Sequence, residues 1–133
     1  MALFKRSIAM LSAVVLSLAA GVLFAQGSGI TRTILSKGDV SVPGREALIS
    51  RVEAVAGFKA GRHTHPGDEI TYVLEGDITL LIDGQPPRQV KSGEAFIVPA
   101  GVVHDAHNNA SVPVKLIAVH VVEIGKPLTS PAI

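Results

Sequence analysis

The sequence predicts an all-β fold. Turn residues recur at short, regular intervals, the runs between them are of strand length and rich in valine and isoleucine, and no run has the spacing of a long amphipathic helix. The turns are Pro43-Gly44, Gly61, Pro66-Gly67, Gly76, Asp83-Gly84, Pro86-Pro87, Gly93, Pro99 with Gly101, and Asn108-Asn109. Strands are expected at Leu48–Val55, Ile70–Leu74, Ile78–Ile82, Ala95–Val98 and Val114–Val122. Ile78, Leu80 and Ile82 alternate onto one face, and the Asp83-Gly84 that follows predicts a type I′ hairpin turn. Strands this short suggest a sandwich or a barrel, and periodicity alone does not choose between them.

Before the first strand lies a different kind of segment. Residues 1–25 place Lys5 and Arg6 ahead of an uncharged run from Ser7 to Ala25, the layout of a secretory signal peptide. Cleavage is expected after Ala25, with Leu23 at the −3 position, or after Gly21 behind Ala19. The competing reading is a retained anchor, since 19 uncharged residues just suffice to span a bilayer. This run also accounts for most of the high mean hydropathy, +0.42. With no cysteine, neither lipoprotein processing nor a disulfide is available to an exported domain. A Lys-Arg pair in place of Arg-Arg favours export as an unfolded chain, so any metal would be acquired afterwards. The expected location is the periplasm, with no stable membrane association once the segment is removed.

Loss of residues 1–25 takes the formal net charge from +1 to −1. No basic run remains, and one tyrosine, four phenylalanines and no tryptophan give bases nothing to stack on, which argues against nucleic acid. The rest divides into a lead over 26–45, a barrel over 46–124 and a proline-containing arm over 125–133, expected to lie over its own barrel or a partner's. A chain of this size commonly gains stability from a metal or from oligomerisation. Apolar residues on both faces of Ala47–Val55 predict a homodimer.

The chemistry is concentrated in two segments. The first runs from Gly57 through His63-Thr64-His65 and Glu69 to Gly76. In a strand His63 and His65 project from the same face, and the Pro66-Gly67 turn is expected to double the chain back and bring Glu69 beside them. The second runs from Gly93 through Pro99 and Gly101 to His104 and Asn108, the bend aiming His104 at the first segment. Three imidazoles and a carboxylate suit one divalent transition-metal ion: manganese, iron, nickel, copper, cobalt or zinc. Taken alone, the His63-Thr64-His65 pair is as readily a feature of an exposed loop.

Together the two segments resemble the two motifs of the cupin superfamily. Gly57, His63, His65, Glu69 and Gly76 match every position of the first motif, and Gly93, Pro99, Gly101, His104 and Asn108 match every position of the second. The resemblance implies an antiparallel jelly-roll β-barrel. It also implies that His63, His65, Glu69 and His104 hold an ion inside the barrel with one or two positions left for water or a small-molecule substrate. Gly76 and Gly101 would then be positions of positive φ, and Pro99 a rigid bend.

Such a site serves several chemistries, so the fold does not name the reaction. The leading expectation is a metal-dependent dioxygenase-type enzyme on a small organic substrate, with Glu69 also available as general base. The alternatives are an isomerase or lyase using the ion as a Lewis acid, and a non-catalytic periplasmic protein that binds a metal or small ligand. His107 is expected on the surface, and His120 in the core or lining the cavity, the core being preferred. Asp68, Asp105 and Tyr72 alternate away from the site, and Arg62 is expected to pair with an acid on the outer surface, a contact to a substrate carboxylate being the lesser alternative.

Overall fold

The computed structural model describes residues 29–133. Ten strands follow one another: β1 Ile30–Asp39, β2 Arg45–Ala54, β3 His63–Thr64, β4 Gly67–Glu75, β5 Ile78–Ile82, β6 Arg88–Val90, β7 Ala95–Val98, β8 His104–His107, β9 Val114–Glu123 and β10 Ser130–Pro131. They form two five-stranded sheets, ordered β1-β2-β9-β4-β7 and β10-β3-β8-β5-β6, and every pairing is antiparallel. The result is a jelly-roll barrel, with no helix among the described residues. The signal segment over 1–25 lies outside them.

β4 and β9 alternate between buried and more exposed positions. Along β9, Val114, Leu116, Ala118, His120 and Val122 are buried while their neighbours are half-exposed, and on β4 Glu69, Thr71 and Val73 point inward between exposed Ile70, Tyr72 and Leu74. The inward apolar residues of both sheets, among them Val52, Val73, Leu80, Val90, Phe96 and Leu116, close one end of the barrel as its core. The other end is polar. There the register sets Leu48, His120, Glu69 and Val98 in one row across the larger sheet, and His63, His104 and Ile82 in one row across the smaller. Gly67 lets β4 start close against β9, since a Cβ there would stand 1.9 Å from the Val121 carbonyl oxygen.

Several local expectations change. The lead contains β1, which pairs along the whole of β2; its edge position leaves Ile34 and Leu35 exposed, so its composition does not read as a buried strand. Asp83-Gly84 is not a type I′ turn. The Gln85 amide donates to the Ile82 carbonyl and Gly84 has φ of 78°, but Asp83, like every described non-glycine residue, lacks the positive φ that type I′ requires. Pro86 and Pro87 offer no N–H to continue a tight hairpin, so pairing resumes only at Arg88 opposite Leu80. Pro66 does not double the chain back either: β3 belongs to the smaller sheet and β4 to the larger, so the chain crosses a corner of the barrel there. Gly76 and Gly101 do have positive φ, 78° and 73°. The C-terminal arm folds over its own barrel, where β10 pairs with β3.

Candidate metal centre

The two polar rows and the corner between them bring the four sequence-selected residues together. His63 on β3 and His104 on β8 are direct cross-strand partners with ring centroids 4.2 Å apart. His65, at the corner, has its ring 4.9 Å from that of His63 and 5.1 Å from that of His104. Glu69 comes from the opposite wall, with Oε2 3.1 Å from Nε2 of His65 and 3.1 Å from Nε2 of His104. Ligands about 2.0–2.2 Å from a common ion, at right angles to each other, stand ~3 Å apart.

What the far side of each ring does is more telling. Nδ1 of His63 lies 2.6 Å from the Gly61 carbonyl, Nδ1 of His65 2.6 Å from that of Leu128, and Nδ1 of His104 3.0 Å from that of Val102. A carbonyl only accepts, so each Nδ1 carries a proton, and each ring in its neutral form turns an unprotonated Nε2 inward. A backbone carbonyl behind the ring is the usual support of a metal-bound histidine. The other Glu69 oxygen, Oε1, accepts from the Thr71 hydroxyl at 2.8 Å. With the rings neutral, nitrogen lone pairs and a carboxylate oxygen thus converge on one buried place. Such a set could hold a metal ion, and its nitrogen and oxygen donors fit a divalent transition metal.

The electrostatics express the same demand. Burial alone would raise the Glu69 carboxyl, but hydrogen bonds from His104 and His65, made when a proton on Nε2 stands in for the ion, outweigh it and hold the group well below the carboxylate range. Burial lowers His104, yet its bond to Glu69 leaves it above the ordinary histidine value. His63 is pushed down, chiefly by burial.

His120 is buried, as the core reading expects, but it is not satisfied there. It pairs directly with Glu69 across β9 and β4, its Nε2 is 4.0 Å from Glu69 Oε2, and its ring is 4.5 Å from that of His65. Neither ring nitrogen has a hydrogen-bond partner. Burial pushes its pKa down to about 3. His65, Glu69 and His120 therefore form a second potential ligand group overlapping the first, His63, His65 and His104.

The remaining candidates lie outside the cluster. His107 is on β8 with Nε2 2.9 Å from Asp105 Oδ2, and Asp105 also accepts from the Gly61 and Ala106 amides. Asp68 is exposed and accepts from the Ala100 amide, Tyr72 is exposed, and Arg62 pairs with Asp83. Asn108 is structural: its amide donates to the Ala54, Val55 and Val112 carbonyls and its oxygen accepts from Ala110.

A cavity of ≈ 70 Å³ lies against the cluster, walled by apolar side chains such as Val52, Phe58, Ile78 and Leu116. It adjoins a depression of ≈ 200 Å³ that shares Ile30, Phe58, His63 and His65 and is edged by Thr129 of the arm. Arg32 on β1 lines both. Sequence reasoning did not single out Arg32, because β1 was not recognised; alternation from Ile30 would have put it on the inward face.

A family model for the cupin domain matches residues 50–120, more than half of the chain, and takes in His63, His65, Glu69, His104 and His120. The chain belongs to the cupin family. Among curated proteins, this cupin is 34% identical over 87 residues to germin-like protein subfamily 2 member 1 of Arabidopsis thaliana, covering 59% of this chain and 40% of that protein. It is 37% identical over 49 residues to the dimethylsulfoniopropionate lyase DddQ of Ruegeria pomeroyi, covering 37% of this chain and 24% of that one. It thus spans less than half the length of these curated relatives. The solved structure of DddQ superposes with a TM-score of 0.66 at 20% identity, covering 82% of this chain and 56% of that one. A cupin-like protein of Thermotoga maritima gives 0.63 at 22% identity, covering 83% and 87%. At these identities the structural likeness shows the fold.

Proposed function

We propose that this cupin is exported to the periplasm and binds one divalent transition-metal ion through His63, His65, Glu69 and His104, for dioxygenase-type chemistry on a small organic molecule. One observation carries the reading: three rings, each held by a carbonyl at Nδ1, turn Nε2 toward the Glu69 carboxylate at one buried place. When bound, the ion supplies a Lewis acid and, if redox-active, an electron source for dioxygen. The protein's own part is to hold three neutral imidazoles by their backbone carbonyls, to fix Glu69 through Thr71, and to keep water out with apolar walls. A carboxylate held so far below its usual range accepts a proton poorly, which favours Glu69 as a ligand over Glu69 as general base. The charge pattern of residues 1–25 supports export, and folding after export favours copper or zinc by affinity order. Metal analysis of protein isolated from its native compartment tests this directly. One ion per chain is expected, and a metal-free native protein would refute the reading.

A second reading, a lyase or isomerase that uses the ion only as a Lewis acid, is favoured by Arg32, a cation in the cavity able to orient a polar substrate. Relatives whose names describe such reactions are a lyase, DddQ, and a polyketide cyclase, RemF of Streptomyces resistomycificus. Oxygen consumption during turnover separates the two, and metal uptake without either turnover leaves a binding protein.

The outer face of the larger sheet supports a homodimer. Ile49, Val119, Ile70 and Ile97 stand in one register row across four strands, with Tyr72 beside them, and Ile97 is 63% exposed. A two-fold contact sets such a row against its own copy. Light scattering at micromolar concentration should give twice the monomer mass, and Ile97→Glu should return it to monomer.

A further inference from the structure

Among the described residues, Arg32 is the one Lys or Arg lining the cavity, and its Nη1 is buried without a hydrogen-bond partner. The obvious acceptor beside it is already engaged. Glu69 Oε1 takes the Thr71 hydroxyl and Oε2 faces His65 and His104, and no ion pair joins Arg32 to Glu69 within 4.0 Å. The other polar residue at the wall, Asn108, is consumed by backbone partners. The rest of the lining is the histidine cluster and apolar side chains, and none of it accepts a hydrogen bond from the buried Nη1.

From this we infer that Arg32 is the anion-binding residue of the site, and that the cavity admits a small organic molecule whose carboxylate lies against the guanidinium. The planar fork of arginine matches a carboxylate with two parallel N–H···O bonds, and the low-dielectric wall strengthens them. Charge balance agrees. Burial disfavours the charged guanidinium and the Glu69 carboxylate favours it, and a divalent ion bound at the histidines would leave the site with a net positive charge that an anion neutralises. Position agrees as well, because Arg32 lines both the inner cavity and the depression leading to it. A carboxylate held there leaves the rest of a short molecule directed at the histidine cluster. The inference rests on the proposed metal centre only for that second contact, and it applies equally to oxygenase and lyase chemistry.

Calorimetric titration of the zinc-loaded protein with malonate, and with the neutral, near-isosteric malonamide, tests it. Malonate should bind and malonamide should not. Arg32→Met should weaken malonate by about 10–100-fold, the usual worth of charge-assisted hydrogen bonds, while zinc content stays at the wild-type level. If Arg32→Met does not fold, Arg32→Gln is read in the same way. Equal binding of the two probes, no malonate binding by the wild type, or unchanged malonate affinity in the variant with zinc retained would each overturn the assignment. His104→Ala separates this from the metal reading: zinc should be lost, while a weaker malonate affinity that still depends on Arg32 remains. A wild type that takes up no metal but binds malonate through Arg32 sinks only the metal centre.

Discussion

His104 and His120 are both almost fully buried, both face the same oxygen of Glu69, and come from opposite walls of the barrel. They differ in what stands behind the ring. His104 gives its Nδ1 proton to Val102 and presents Nε2 3.1 Å from Glu69, whereas His120 has no partner for either nitrogen and its Nε2 stops at 4.0 Å. The same holds for the groups as wholes. His63, His65 and His104 are each fixed by a carbonyl, and the larger sheet contributes one anchored carboxylate and one unanchored imidazole. The comparison teaches that proximity to a carboxylate does not by itself make a ligand. An imidazole whose tautomer and orientation are fixed in advance meets an ion without reorganising.

The largest effect should follow removal of an anchored ring. His104→Ala, His63→Ala and His65→Ala are each expected to weaken metal binding by more than about 100-fold, beyond the ~10–100-fold cost of losing only a supporting partner. Competition against a chelator measures this. Retention of wild-type affinity by all three would leave the cupin fold standing without the function argued here.

A smaller effect tests the anchoring itself. The carbonyl behind His65 belongs to Leu128, in the C-terminal arm, so a chain ending at Pro127 keeps all four ligands but frees the His65 ring. Metal affinity should fall by about 10–100-fold. Besides the His65 bond, the arm makes a two-residue pairing with β3 and exposed hydrogen bonds to Arg62, so the melting temperature of the metal-free protein should move little. An unchanged affinity would show that the carbonyl does not matter.

The arm also marks the limit of what the sequence reveals. The four proposed ligands were legible because the motif spacing encodes two strands and two bends, and strand alternation correctly turned Tyr72, Asp105 and Asp68 away. Long buried strands such as Val114–Glu123 announce themselves by composition. β1 does not, because half of an edge strand faces water, and with it Arg32 was missed. β3, β8 and β10 are too short to show a period. The Leu128 carbonyl is a backbone group 63 residues from His65, and no residue type signals it. For His120, alternation predicted burial correctly, but which strand lies opposite is a matter of register, and register put Glu69 beside it.

Acid should act on the anchored set next. Each histidine ligand binds as the neutral ring, so metal affinity should decline as pH falls through about 6, near the unperturbed histidine value. Affinities measured between pH 8 and pH 5 check this. A flat profile would mean that the imidazoles are not the ligands.

The smallest effect on the metal, and the one that most sharpens the contrast, concerns His120. Removing it should leave near-stoichiometric metal, because no carbonyl holds its ring toward the ion. On the metal-free fold the effect should be favourable. A buried polar group without a partner costs about 1–3 kcal/mol, so His120→Leu, which fills the site with apolar volume, should raise the melting temperature. The gain should also depend on pH. Burial pushes His120 from 6.5 to about 3, so between those values the unfolded chain takes up a proton that the folded chain refuses. The unfolded state then binds more protons, and stability falls as pH drops from about 6.5 toward 3. His104 shifts the other way and partly offsets this in the wild type, but it is common to both proteins and drops out of their difference. The advantage of His120→Leu over the wild type should therefore grow on acidification across that window, read as the gap between metal-free melting temperatures at pH 7 and pH 5. A gap that closes instead would mean that His120 is charged in the fold. If His120→Leu released the ion as completely as His104→Ala, the ligand set would have to be redrawn around the His65, Glu69 and His120 group.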